Sequence, residues 1–174
     1  MRLLVLLILV LGSPACSKGT KEPKTSGSSM PDQSSQKVTS PSEADRGRLD
    51  DQRAVVEKYL ADDSSRAKYK TAAGKLGTIR AILDGNVFNP NQTYELQCLG
   101  IVLGDAFALE FGLEWVTVED EHGRDPAMRL PGTSIILFPL TMISKRIERG
   151  EKVDVFDLFN GVAAEVESAR QPPG

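Results

Sequence analysis

The chain has 174 residues, a formal net charge of −3 and two cysteines. Its N-terminal stretch reads as an export signal and a low-complexity segment, which leaves roughly 125 residues, enough for one domain with a real hydrophobic core. The charge is unevenly spread: residues 1–48 carry seven Lys/Arg and four Asp/Glu, whereas residues 49–174 carry fourteen and twenty. An acidic domain without a basic stripe argues against nucleic acid as its partner.

Arg2 is followed by nine uninterrupted apolar residues, Leu3 to Leu11, and then by Gly12, Ser13, Pro14, Ala15 and Cys16. A charged start, a short apolar run and small residues before a break make a secretory signal. The run is too short to cross a bilayer, which takes ~20 residues. Small residues ending at a cysteine resemble the lipobox of bacterial lipoproteins. That resemblance implies a signal peptide over 1–15 and a diacylglyceryl group on the Cys16 thiol. Ser13 and Pro14 depart from the usual pattern, so cleavage by an ordinary signal peptidase, releasing a soluble protein, stays open, as does a misread start.

Residues 16–46 are expected to form a lipid-anchored flexible tether. Between Lys18 and Ala44, Met30 and Val38 are the only large apolar residues, and such a stretch cannot bury enough surface to offset its ordering entropy. As a coil of about 28 residues its ends would lie roughly 30 Å apart. The expected location is secreted and held on a bacterial membrane through Cys16. Ser17 is not the Asp that favours inner-membrane retention, so in a two-membrane cell the outer membrane, facing the periplasm, is expected.

The domain is expected over 47–170. A first helix reads over 47–60, with Val55, Val56, Tyr59 and Leu60 apolar, and ends at the cap-rich Asp62 to Ser65. A second reads over 65–84, weakened by Gly74 and Gly77. The third lies between Pro90 and Gly112 and is apolar on nearly its whole circumference, the mark of a buried helix. Gly100 and Gly104, four apart on it, leave a bare patch that another backbone can approach. Leu113 to Glu119 alternates as a strand, Val116 and Val118 facing one way and Trp115 and Thr117 the other. A polar turn to Pro126, a short strand over 127–130 and a turn at Pro131–Gly132 follow. Ser134 to Phe138 reads as a continuous apolar, central strand. Pro139 then opens a helix over 140–149, and Asp154 caps a last helix reaching about Ser168. The fold class is therefore α+β, with helices packed on a small antiparallel sheet of about three strands.

Three stretches are more specific than composition: Tyr94–Gly100 (YELQCLG), Leu113–Arg129 (LEWVTVEDEHGRDPAMR) and Leu137–Arg146 (LFPLTMISKR). Together they resemble a bacterial domain family of unknown function over about residues 70–162. The resemblance implies a shared fold and names no activity.

Five residues are candidates for binding: Trp115, Glu119, Asp120, Arg124 and Asp125. The acidic run at 119–125 can in principle offer oxygens to a hard cation, but adjacent strand residues point apart and a solvated turn is the plainer reading. Trp115 is either an exposed anchor for a partner or a core residue. His122 is the lone histidine, so a multi-histidine zinc site is excluded. Lys145, Arg146 and Arg149 complement the end of their helix. Asp105, set in the buried helix, must find a partner such as an arginine. Cys98 reads as a small buried thiol. No catalytic residue, metal site or cofactor is assigned. The expected function is a non-enzymatic binding module of the cell envelope, with an immunity-type protein as one variant, a protein partner, no nucleic acid, and the membrane reached through Cys16. The alternatives are an envelope enzyme using Glu119, Asp120, Asp105 or His122, and a structural envelope lipoprotein.

Overall fold

The computed structural model describes residues 36–121 and 123–171. The signal segment, Cys16, most of the expected tether and His122 lie outside the described residues. The first element is a strand, β1 (Lys37–Thr39), followed by helix α1 (Glu43–Glu57). The inner end of the stretch expected to be tether is therefore structured. Its helix start is set by a capping box: Ser42 accepts from the Asp45 amide, and the Asp45 carboxylate accepts from the Ser42 amide. Residues 43–48 are nearly all polar, and this turn of α1 buries none of them, so hydrophobic periodicity could not register it.

The expected second helix is two: α2 (Asp63–Lys68) and α3 (Ala72–Asp84). Thr71 caps α3 by accepting from the Gly74 amide at 3.0 Å. A side chain at Gly74 would collide with the Lys68 carbonyl. The glycine that weakens a continuous helix is what lets the corner close. Helix α4 (Thr93–Phe111) runs through the centre, with Leu96, Leu99, Ile101, Val102, Leu103, Ala106 and Phe107 fully buried. Gly112 stops it in the left-handed conformation (φ 69°), where the lack of a Cβ removes the steric cost.

Strands β2 (Glu114–Asp120) and β3 (Gly123–Arg129) form a hairpin, and β4 (Ile136–Leu137), α5 (Leu140–Glu148) and α6 (Val155–Arg170) complete the chain. The sheet is wholly antiparallel in the order β1-β2-β3-β4. The fold is α+β with four strands instead of three, the fourth being β1. The strand expected to be central is instead a two-residue edge. In its register Met128 faces Leu137 and Arg129 faces Ile136. Continuing that register would set Pro126 opposite Pro139, and neither has an N–H to give to a ladder.

The run at 135–138 is continuously apolar because both faces of this corner are partly covered. Trp115, Met128 and Leu137 pack into the main core with α1, α3, α4, α5 and α6. Val38, Val116, Val118, Ala127, Ile136 and Phe138 form a second cluster on the other face of the sheet. Burying apolar surface on both faces, at ~25 cal/mol per Å2, makes even the three-residue β1 part of the fold: Val38 sits opposite Val118 and closes one side of that cluster.

The two glycines of α4 do form a bare patch, with two different neighbours. A Cβ on Gly100 would lie 2.7 Å from the Leu140 carbonyl oxygen and 2.8 Å from its Cα, so α5 begins directly on the backbone of α4. A Cβ on Gly104 would lie 2.7 Å from Cη2 of Trp115. This docking of β2 and α5 against α4 fixes where the polar groups described next can meet.

Candidate functional site

Two polar clusters flank the hairpin. The first is centred on Asp105, in the C-terminal half of α4. Arg53 of α1 donates to it twice, from Nε at 2.8 Å and from Nη2 at 2.7 Å, and the Trp115 indole N–H donates at 3.0 Å. Lys75 of α3 stands 3.7 Å away and places its ammonium 3.9 Å from the Tyr69 ring centre. Burial lowers the Lys75 pKa, against the pull of Asp105 in the other direction. Arg53 is held protonated more firmly than usual by its bonds to Asp105. The partner that a carboxylate in a buried helix demands is thus a fork-shaped guanidinium, the geometry that satisfies both oxygens at once. That Asp105 needs a partner was legible from its place in an apolar helix. The sequence did not show which, because Arg53, Lys75 and Trp115 come from three other elements.

The second cluster is centred on Asp45, in the first turn of α1. Its Oδ2 accepts from Arg124 of β3 at 2.6 Å, from the Thr117 hydroxyl at 3.2 Å, and from the Ser42 amide and hydroxyl at 2.8 and 2.7 Å. Arg48 approaches its Oδ1 at 3.5 Å. The Arg124 guanidinium, then the Ser42 hydroxyl and amide, hold the Asp45 carboxyl well below the usual carboxylate range. Arg124 also meets Glu119 across the β2–β3 rung at 3.6 Å. Asp45 lay inside the expected tether, and so the residue organising this cluster was missed. Its one sequence signal is a Ser-x-x-Asp cap just before a helical run.

Between α1 and the hairpin lies an open cleft of about 280 Å3. Its floor is apolar, with Leu49, Leu140 and Pro126. Its walls carry Asp45, Arg48, Asp51 and Gln52 from α1, and Thr117, Arg124 and Asp125 from the hairpin. Tyr94, at the start of α4, stands at its mouth and is 50% exposed.

The five candidate residues divide across this geometry. Arg124 and Asp125 line the cleft, and Glu119 is tied to Arg124. Trp115 is half-buried against the helical core, with its N–H given to Asp105. Asp120 lies at the far end of β2 and accepts from Gln36 at 3.3 Å. Glu119 and Asp120, being adjacent on a strand, face opposite ways. Among the described residues no group of three or more His, Cys, Asp or Glu is placed to hold a metal ion.

Cys98 is fully buried on α4, and burial pushes its thiol up to about 11. Arg146 donates to the Met142 carbonyl at 2.6 Å and Arg149 pairs with Glu151 at 2.8 Å, both at the end of α5. Among the described residues no helix is long and apolar enough to cross a membrane.

Residues 75–159 match the family model described as a domain of unknown function, DUF3806. The three sequence stretches quoted above fall inside this match, which runs from α3 to α6. A crystal structure of a protein from Bacteroides thetaiotaomicron is similar in fold, with a TM-score of 0.60 and 14% identity. The similarity covers 75% of this chain and 48% of that one, so the chain spans about half the length of its structural neighbour. At that identity the likeness bears on the fold alone. No curated protein matches the chain.

Proposed function

We propose that this chain is a lipid-anchored binding module of a bacterial cell envelope, which works by non-covalent contact through the cleft between α1 and the hairpin. One observation carries the reading: the cleft is the place where an apolar floor, a half-exposed aromatic ring and charged walls meet. That combination is the usual composition of a recognition site. Glu119, Asp120 and Asp105, the carboxylates of the enzyme alternative, do not line it. Asp105 is committed to Arg53 and Trp115, and Glu119 to Arg124 in a separate pair. The anchor at Cys16 rests on the small residues before it and on the low-complexity stretch after it. Acyl chains on that residue would hold the domain at a membrane, given two or more of them.

The anchor and the cleft are tested in one preparation. Cys16→Ser should move the protein from the membrane to the soluble fraction, and continued dependence on detergent would overturn the anchor. Mild cross-linking of the full-length protein in its native membranes should capture a stoichiometric partner that is lost with Tyr94→Ala. Capture of the same partner by the variant would remove the cleft as the binding face.

A further inference from the structure

We infer that a second groove, between the end of α1, α2 and α3, binds an anionic amphiphile: a hydrocarbon chain ending in a carboxylate. The groove is open, measures about 640 Å3 and shares no lining residue with the cleft. That volume is within the roughly 300–1,000 Å3 of small-ligand sites. The groove arises from how α3 divides its faces. Ala72, Leu76, Ile79 and Ile82 go to the core, whereas Ala73, Gly77 and Ala81 line the groove and are exposed. Tyr59 and Val87 stand beside them, 47% and 39% exposed. The Phe88 ring steadies Tyr59 edge-on, with 5.4 Å between centroids. A glycine inside a helix is destabilising relative to alanine. At Gly74 the corner requires one, but a Cβ on Gly77 would meet nothing within 4 Å. Packing within the chain gives no reason for Gly77; its effect is to keep the groove deep.

The polar groups of the groove select the ligand. Its hydroxyls have already given their protons: Ser65 to the Asp62 carbonyl at 3.0 Å, Thr71 to the Lys68 carbonyl at 2.8 Å, and Thr78 to the Gly74 carbonyl at 2.9 Å. An extended peptide, with an N–H and a C=O at each residue, would leave these groups short of partners. A hydrocarbon chain needs none. Lys68 is the one charged residue among the described residues that line the groove. It makes no ion pair or side-chain hydrogen bond with another described residue. Asp62 feels its charge but is turned into the α2 cap, where it accepts from the Ser65 amide at 2.7 Å. A cationic ligand would therefore meet Lys68 and no acceptor. The surrounding charge agrees: residues 58–80 hold six Lys/Arg and two Asp/Glu, inside a stretch, 49–174, that holds fourteen and twenty. An anion is drawn to this corner and repelled by the rest of the domain. A carboxylate at Lys68 leaves its chain to lie along the small residues of α3, beside Tyr59 and Val87.

The test is photo-labelling of the full-length protein, in whichever cell fraction holds it, with dodecanoate carrying a diazirine on its chain, followed by purification and peptide mapping by mass spectrometry. Label should fall between Tyr59 and Val87. Excess dodecanoate should suppress it, and dodecylammonium should not. Gly77→Leu places a side chain in the groove, where the chain itself has open space. It should cut labelling at least about tenfold while the melting temperature stays at or above that of the wild type. Ala81→Leu, at another exposed position of the same wall, repeats the block should Gly77→Leu melt lower. Lys68→Gln should raise the dodecanoate needed for suppression about fivefold, the worth of one exposed ion pair. Label confined to other segments, or full labelling of both leucine variants, would overturn the site. Equal suppression by dodecylammonium would overturn the anionic head. Suppression by an acidic amphipathic helical peptide of leucine and glutamate, with excess dodecanoate inert, would assign the groove to a protein and overturn the amphiphile. The cleft takes no part in this site, so none of these outcomes depends on the binding-module reading.

Discussion

Asp105 and Asp45 each hold an arginine delivered by a different element, yet the two sites differ in what surrounds them. Around Asp105 the neighbours are a buried helix, a tryptophan ring and a lysine whose side chain is 11% exposed. Around Asp45 they are a helix cap, a threonine of β2 and an arginine whose side chain is 39% exposed. The two aspartates are equally exposed, at 12%, but Arg53 is 23% exposed against 39% for Arg124. The first pair is the better shielded of the two and joins α1, α3, α4 and β2 at one point, whereas the second joins α1 to the hairpin at the rim of a cleft. The same chemistry therefore serves as an internal joint in one place and as an adjustable wall in the other. Solvent access sets how much each is worth, since exposed pairs contribute little and broken buried ones cost much.

The largest expected effect is at the internal joint. Asp105→Asn keeps the shape but removes the charge that Arg53 and Lys75 face, and leaves one fork of Arg53 without its acceptor. It should lower stability by about 3 kcal/mol, the scale for removing one partner of a largely buried pair. Urea unfolding followed by Trp115 fluorescence measures it. A loss comparable to that of an exposed pair, under ~1 kcal/mol, would mean that the two clusters do not differ in kind.

A second substitution sharpens the comparison from the side of packing. Gly100→Ala adds one methyl group where α5 starts on the backbone of α4, with the Leu140 carbonyl oxygen 2.7 Å from the new atom. Neither helix can yield there by turning a side chain, so the cost should be about 1–3 kcal/mol, typical of overpacking. Thermal unfolding would read it as a lowered midpoint. An unchanged midpoint would show that the start of α5 is free to shift, and that the helical side is less rigid than its buried joint implies.

These contrasts also explain what the sequence made legible. The buried α4, the stop at Gly112, the facing of Trp115 against Val116, and the cap at Asp154 follow from periodicity and local chemistry, and the structure bears each out. The need of Asp105 for a cation was equally plain, because a carboxylate in an apolar helix has few alternatives. Three features were hidden for physical reasons. Strand β1 has three residues and one apolar side chain, Val38, below what alternation can detect. Helix α1 begins in polar sequence because its first turn faces the cleft and solvent. The corner between α2 and α3 depends on a tertiary contact at Gly74, which no local propensity reports. The cleft was invisible for the second of these reasons, since its organising residue, Asp45, sits in the segment that looked unstructured.

The smallest effect is expected at the solvated cluster, and it carries a pH signature. The Asp45 carboxyl is held below the usual range by Arg124 and Ser42, whereas in the unfolded chain it titrates near an ordinary aspartate value of about 3.9. A depressed folded-state pKa means that the unfolded state binds the proton more readily. The bonds to Asp45 therefore contribute fully above about pH 4 and are lost as the pH falls from there through the lower folded-state value. Comparing wild type with Asp45→Asn isolates this contribution. The difference in melting temperature should be small and constant from neutral pH down to about 5, then shrink steadily on further acidification. Salt should reduce it at neutral pH, because the Arg124 pair is exposed to solvent. A gap that widens on acidification would reverse the sign of the linkage. It would mean that Asp45 is neutral when folded, in which case Arg124 would be left with Glu119 alone and the pairing assigned to this cluster would have to be redrawn.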